Sequence, residues 1–224
     1  MRDISENTVS SKNQLPRSSS VFYIGNEDAK LRLLIVGNSI TRHAASPSLG
    51  WFGDWGMAAS KKELDYVHRL TAMLEEAGLD VLTKVHQLAT WERGHAEPNA
   101  LDALIEDKEF DAHAVVFRLG ENIKNFEDLD EHLEAFINTV CPNGEVVFTT
   151  TAWDSGAINT PIRALAKKRG EVCRELTEIG KREDLMAIGQ FEHRGVAMHP
   201  SDKGMQFIAD QVFDDVKRIL NGAK

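Results

Sequence analysis

Five short apolar runs, each bounded by glycine, charged or turn-forming residues, constrain the fold of this chain most. They are LRLLIVG (31–37), DVLTKVHQL (80–88), DAHAVVFRLG (111–120), GEVVFTTTAW (144–153) and DLMAIG (184–189). Near-continuous apolar runs of this length read as strands buried on both faces. The segments between them have helical spacing. Val67, Leu70, Leu74 and Ala77 share one face, as do Phe126, Leu129, Leu133, Phe136 and Val140. Ile158, Ile162, Leu165, Val172 and Leu176 form a third, longer stripe, and Met205, Ile208, Val212, Val216 and Ile219 a fourth. A shorter helix is expected over 98–107, because Pro98 suits a first helical turn. VFYI (21–24) reads as a short edge strand. Strands alternating with helices imply a parallel sheet covered on both sides through right-handed crossovers. The expected fold is a three-layer α/β/α sandwich around a five-stranded parallel, flavodoxin-like sheet.

Length and composition set the outer limits. The 224 residues, 42% of them apolar, suffice for one sizeable core, so one domain is expected over 21–224. Residues 1–20, rich in Ser, Asn and charge, read as a polar tail or surface strap. The formal charge of −9 argues against nucleic acid or an anionic membrane surface as main partner. No run is long enough to span a membrane, and the N-terminal segment lacks the apolar stretch of a signal peptide. With only Cys141 and Cys173, a reducing compartment is the simpler expectation, and the cytoplasm is the expected location.

In open α/β sheets ligands bind beyond the carboxyl ends of the strands. Ser39 follows the first long strand in VGNSI, so a hydroxyl is presented at that edge. The third run ends in LGEN, which brings the Asn122 amide to the same edge as an oxyanion donor. His199 stands in MHPSDKG, just before the last helix, where it can serve Ser39 as general base. Ser201 or Asp202 can cap that helix. Backbone amides near Ala89 and Thr90, after the second run, are further oxyanion candidates.

The ordered set VGNSI, LGEN and MHPSDKG resembles the SGNH hydrolases, also called GDSL-like esterases and lipases, from about residue 31 onward. The resemblance implies Ser39 as nucleophile and His199 as base and then acid. It implies an oxyanion hole from the Ser39 amide, a second-strand loop amide and the Asn122 side chain. It further implies cleavage of an ester, often an acyl group on a sugar, without metal or cofactor. Three positions depart from the family pattern. Asn38 stands where the family usually has Asp, and little loss is expected from that exchange. The second-strand loop, QLATWERG, lacks the family glycine. Val196 occupies the position, three residues before His199, that normally carries the acid of the triad. Glu192, Asp202 and Asp54 are the candidate replacements, and a backbone carbonyl is an equal alternative.

The segment 47–68 contains Trp51, Trp55 and Phe52 directly after the nucleophile turn, while Trp91 and Trp153 end the second and fourth runs. These tryptophans form either a platform for a sugar ring or an apolar plug over the sheet edge. No HExxH or CxxC pattern accompanies His193, His199 and Glu192, so no metal is expected. Two rivals to the esterase reading follow from the same residues. One is a non-catalytic carbohydrate- or acyl-binding module on a decayed hydrolase scaffold, and the other is a phosphate or nucleotide binder using VGNSIT. The second lacks a phosphate-binding glycine pattern.

Overall fold

The computed structural model describes residues 20–223. The tail expected over 1–20 therefore lies outside the described residues except for Ser20, whose carbonyl accepts from the Gln87 amide at 2.8 Å.

The chain runs through β1 (Val21–Gly25), β2 (Leu31–Gly37), α1 (Tyr66–Glu76), β3 (Val81–Gln87), α2 (Ala89–Gly94) and α3 (Ile105–Phe110). It continues through β4 (Ala114–Arg118), α4 (Leu129–Val140), β5 (Glu145–Thr149), α5 (Gly156–Arg169) and β6 (Val172–Arg174). It ends with α6 (Glu178–Lys181), α7 (Arg194–Ala197) and α8 (Asp202–Gly222). One sheet has the order β1-β3-β2-β4-β5-β6. Its last five strands are mutually parallel, and β1 is an antiparallel edge strand against β3.

Alternation along each strand builds the two outer layers. Leu33 and Ile35 of β2 meet Val67, Leu70 and Leu74 of α1 and Ile208, Val212 and Val216 of α8. Leu34 and Val36 point the other way, toward Leu133, Phe136 and Val140 of α4 and Ile158 and Ile162 of α5. Both sets are almost fully buried, and each large aliphatic removed from water contributes roughly 1.5–3 kcal/mol. This two-sided burial is why the strands are continuously apolar in sequence.

The sheet has the expected parallel strand number, but its fifth member is not DLMAIG. Residues 183–185 form a 3₁₀ turn, and Met186 makes only an isolated bridge to Pro200. The fifth parallel strand is β6, inside what reads as the long stripe from Ile158 to Leu176. Gly170 ends α5 in the left-handed region at φ 71°, its amide donating to the Ala166 and Lys167 carbonyls. The chain then reverses, and Val172 and Cys173 register against Val147 and Phe148. The helix expected over 98–107 is a 3₁₀ turn at 102–104 followed by α3, with Pro98 in an exposed turn before both. Phe126 precedes α4 and is exposed, so it is no part of that helix's buried face.

Strand β2 lies between β3 and β4, so successive crossovers leave it in opposite directions. That switch point opens a crevice beyond the carboxyl end of β2. The segments after β2, β3 and β4 converge there.

Candidate active site

The turn after β2 explains why the strand ends in glycine. A side chain on Gly37 would place its Cβ 1.7 Å from Thr41 Oγ1 and 2.6 Å from Thr41 Cβ. Thr41 is held there by the Tyr66 hydroxyl at 2.6 Å, deep in the protein. Asn38 is buried, its carbonyl accepts from the Thr41 and Arg42 amides at 3.0 Å each, and its Oδ1 accepts from the Ile40 amide at 3.2 Å. This closed turn lifts Ser39 to the rim with its hydroxyl half-exposed and its amide donating to nothing among the described residues.

His199 reaches Ser39 from the loop between α7 and α8. Its Nε2 lies 2.8 Å from Ser39 Oγ, and its Nδ1 lies 2.7 Å from the Gly195 carbonyl. A carbonyl only accepts, so Nδ1 carries the proton and Nε2 is the bare acceptor facing the serine hydroxyl. Burial pushes the imidazole below its ordinary value, against the Gly195 hydrogen bond and the Glu121 charge, which favour protonation. His199 is therefore neutral, and competent to take a proton, over a wider pH range than a free histidine.

None of the three candidate acids supports it. Asp202 accepts from the Ser60 amide at 2.8 Å and the Ser60 hydroxyl at 2.6 Å, and Ser201 is the residue that caps α8. Asp54 has a side chain 68% exposed and lies 4.0 Å from Arg42 Nη2. Glu192 is exposed and borders a neighbouring hollow with Phe191 and His193. The correction has a steric cause. Val196 is fully buried in a small apolar cluster with Trp51, Met57, Ala58 and Ala187, and this anchors the short turn of α7. The preceding carbonyl, that of Gly195, is thereby aimed at the imidazole.

The same cluster decides the role of the tryptophans. Trp51 is buried edge-on to Trp55, with ring centroids 5.6 Å apart, and its Nε1 donates to the His43 carbonyl at 3.0 Å. Trp55 donates to the Ala59 carbonyl at 2.9 Å. Trp91 packs under α2 against Phe136 at 4.4 Å, and Trp153 is half-buried against the opposite core layer. None of the four lines the cleft at Ser39, so of the two alternatives, platform and plug, Trp51 and Trp55 take the second and brace the histidine loop.

The cleft itself has a volume of about 390 Å³. Ser39, His199 and Asn122 all open onto it, with Ala89 and Thr90 from the first turn of α2. Amides of a first helical turn have no acceptor within the helix. The Ala89 amide makes one long contact, 3.4 Å, to Gln87 Oε1. Of the apolar residues around it, Leu49 is partly accessible, whereas Met57 and Val196 are buried.

Behind Asn122 lies a carboxylate network with no counterpart in the sequence expectations. Glu92, fully buried on α2, accepts from Asn122 Nδ2 at 2.5 Å through Oε2. Its Oε1 accepts from the Gly120 amide at 2.6 Å and Asn38 Nδ2 at 3.0 Å. Gly120 holds φ 143°, a backbone state open chiefly to glycine, and its amide thereby meets Glu92. Glu121 accepts from Asn38 Nδ2 and from Arg118 Nη1 at 2.7 Å each, and from the Ala152 amide at 2.9 Å. Burial, then the nearby Glu121 charge, pushes Glu92 above the usual carboxylate range. Burial works to raise Glu121 as well, but the Arg118 guanidinium outweighs it and holds that carboxyl low. Glu92 thus ties the turn that carries Ser39 to the Asn122 side chain.

The network accounts for Asn38. Its amide donates to both Glu92 and Glu121. A carboxylate there would add a third negative charge and remove the shared donor. Replacing Asn38 with Asp is therefore expected to lower the unfolding free energy by about 3 kcal/mol or more at pH 8. The loss shrinks toward pH 5, where the new carboxyl protonates and regains a donor. Urea denaturation at the two pH values measures this, and equal stability of variant and parent at pH 8 would contradict it.

Comparison with sequence-family models gives no match, and comparison with curated proteins gives none either. Solved structures do match. The chain is similar to the psychrotrophic esterase EstA from Pseudoalteromonas sp., solved inhibited by monoethylphosphonate. The identity is 16%, covering 85% of this chain and 98% of that one, with a TM-score of 0.57. It is similar to a family two carbohydrate esterase from Cellvibrio japonicus at 13% identity, covering 88% of this chain and 63% of that one, with a TM-score of 0.56. A member of the lipolytic protein G-D-S-L family from Veillonella parvula DSM 2008 matches at 13% identity, covering 82% and 97%, with a TM-score of 0.51. At these identities the likeness is one of fold, shared with solved structures described as esterases and GDSL-like lipases.

Proposed function

We propose that this chain, built on the SGNH esterase fold, is a serine hydrolase that cleaves an O-acetyl or short acyl ester of a carbohydrate. The observation that carries the reading is the contact of Ser39 Oγ with His199 Nε2 at 2.8 Å, in a histidine whose Nδ1 is engaged by a carbonyl. Ser39 Oγ attacks the ester carbonyl as its proton passes to Nε2, and the carbonyl oxygen becomes an oxyanion. The Ser39 amide, a first-turn amide of α2 at Ala89 or Thr90, and the Asn122 hydrogen not given to Glu92 are the donors for it. The imidazolium then protonates the departing alcohol, and the ester C–O bond breaks. Water, activated by the same nitrogen, releases the acid and restores Ser39. The modest volume of the cleft, with Leu49 as its accessible apolar side chain, favours a short acyl chain. The carbohydrate is suggested by likeness to carbohydrate esterases.

Among the described residues no helix is long and apolar enough to cross a membrane. Cys141 and Cys173 are both unpaired thiols, which agrees with the cytoplasm, where we place the protein.

The test is hydrolysis of p-nitrophenyl acetate, p-nitrophenyl octanoate and acetylated monosaccharides by the parent and by Ser39→Ala. Turnover of the acetyl esters, abolished in the variant, is expected; equal rates in both proteins would overturn the nucleophile. The rate should also depend on pH. Only neutral His199 can accept the proton, and burial lowers its ionisation. kcat/KM should accordingly rise from acid pH and level off with a midpoint below the ordinary imidazole value of about 6.5. A midpoint above that value would contradict the assigned environment.

A further inference from the structure

We infer that the ester cleaved at Ser39 carries an anionic group, bound by Arg93. The inference rests on the esterase reading and specifies its substrate. The chain as a whole is acidic, with 35 Asp and Glu against 26 Lys and Arg. The cleft does not share that balance. No Asp or Glu lines it, whereas Arg93 does. Arg93 extends from the exposed side of α2, next to buried Glu92 and three residues beyond Thr90. Its guanidinium has no hydrogen bond or ion pair among the described residues, although six of the ten other described arginines pair with carboxylates at 3.0 Å or closer. The carboxylates nearest in the site are already committed. Glu92 serves Asn38, Gly120 and Asn122, and Glu121 serves Asn38, Arg118 and Ala152. Of the exposed acids, Glu192 faces the neighbouring hollow across His193.

A planar guanidinium on the wall of a pocket, with its donors unspent, matches a carboxylate or similar oxyanion in a fork geometry. A cleft that holds a cationic side chain and no carboxylate also favours anionic ligands against the overall charge of the protein. The anion can belong to the acyl group or to the alcohol, and the chemistry recognised is the same. A charge-assisted hydrogen bond of this kind is worth about 10- to 100-fold in kcat/KM.

Two matched substrate pairs test the inference. On the acyl side the pair is the mono-p-nitrophenyl ester of glutaric acid and p-nitrophenyl valerate. On the alcohol side it is acetylated glucuronic acid and acetylated glucose. In the parent, one pair should show a preference for the anionic member of about 10-fold or more, weakening as salt is raised. In Arg93→Met that ratio should fall to within about threefold of unity. The pair that responds identifies which side of the ester bears the charge. No preference in either pair, or a preference that persists in Arg93→Met, would overturn the inference while leaving hydrolysis of the neutral esters intact. Calorimetric titration of glutarate and glucuronate into Ser39→Ala, and into Ser39→Ala with Arg93→Met, supplies a readout without turnover. Binding lost only in the double variant, beside a parent that hydrolyses nothing, would support the anion site and sink the esterase. Absence of both turnover and binding would sink both.

Discussion

Replacing His199 with alanine is expected to lower kcat for ester hydrolysis by about 10⁴–10⁶-fold without unfolding the protein. The reason is that the two ring nitrogens have separate tasks, and both are lost. Among the described residues Nε2 is the one base in contact with Ser39 Oγ, at 2.8 Å, and the Nδ1–H···O=C bond to Gly195 fixes its tautomer. Losses of this size are typical when the base of a serine hydrolase is removed. The side chain sits in a loop at the cleft and belongs to neither core layer, so its removal leaves both untouched. The companion variants sharpen the result. Glu192→Gln and Asp54→Asn should stay within a few-fold of the parent, because neither acid contacts the imidazole. Asp202→Asn should act on stability through Ser60 and leave kcat nearly unchanged. A several-hundredfold fall in just one of the three would identify a displaced acid and refute the carbonyl-supported pair. An active His199→Ala would overturn the mechanism altogether.

Replacing Asn122 with alanine is expected to lower kcat by about 10²–10³-fold, with KM changed by less than about threefold. The Asn122 amide gives one hydrogen to Glu92 Oε2 at 2.5 Å, which sets its plane, and the second is free to face the oxyanion. An interaction made only as charge develops on the carbonyl oxygen acts on kcat and not on ground-state binding. A pure KM effect would instead make Asn122 a substrate-binding group. Glu92→Gln turns one acceptor into a donor aimed at Asn122. Its loss in kcat should be smaller than that of Asn122→Ala, and the two should be strongly non-additive, since Glu92 acts through Asn122. Additive losses would remove Glu92 from the positioning role.

The parts of this site that could be read from the sequence are those carried by short, local signals. A hydroxyl two residues past an apolar run, an amide in LGEN and an imidazole ahead of an amphipathic helix all fall at strand or helix ends. The topology follows from hydrophobic period and brings those ends together. The rest depends on contacts far apart in the chain. Glu92 meets Asn38 across 54 positions and Gly120 across 28, and a lone glutamate beside Arg93 reads as surface charge until its burial is seen. Glu121 was within view in LGEN, but its pairing with Arg118 depends on a guanidinium buried under the strand end. The tryptophans of 47–68 were ambiguous for a different reason, since aromatic side chains serve equally as platforms and plugs. The buried Val196 decided it, by giving the plug something to hold. Strand β6 was hidden inside a helical period, and Gly170 was the one local sign that the helix ends before it.

The central claim is that Ser39 is an activated nucleophile, and covalent capture tests it most directly. The protein is treated with a fluorophosphonate, digested, and the modified peptide mapped by mass spectrometry, with His199→Ala and Ser39→Ala treated in parallel. The account predicts one stoichiometric adduct on Ser39 in the parent, strongly slowed labelling in His199→Ala and none in Ser39→Ala. An unlabelled parent, or a label on any other residue that persists in Ser39→Ala, would contradict it.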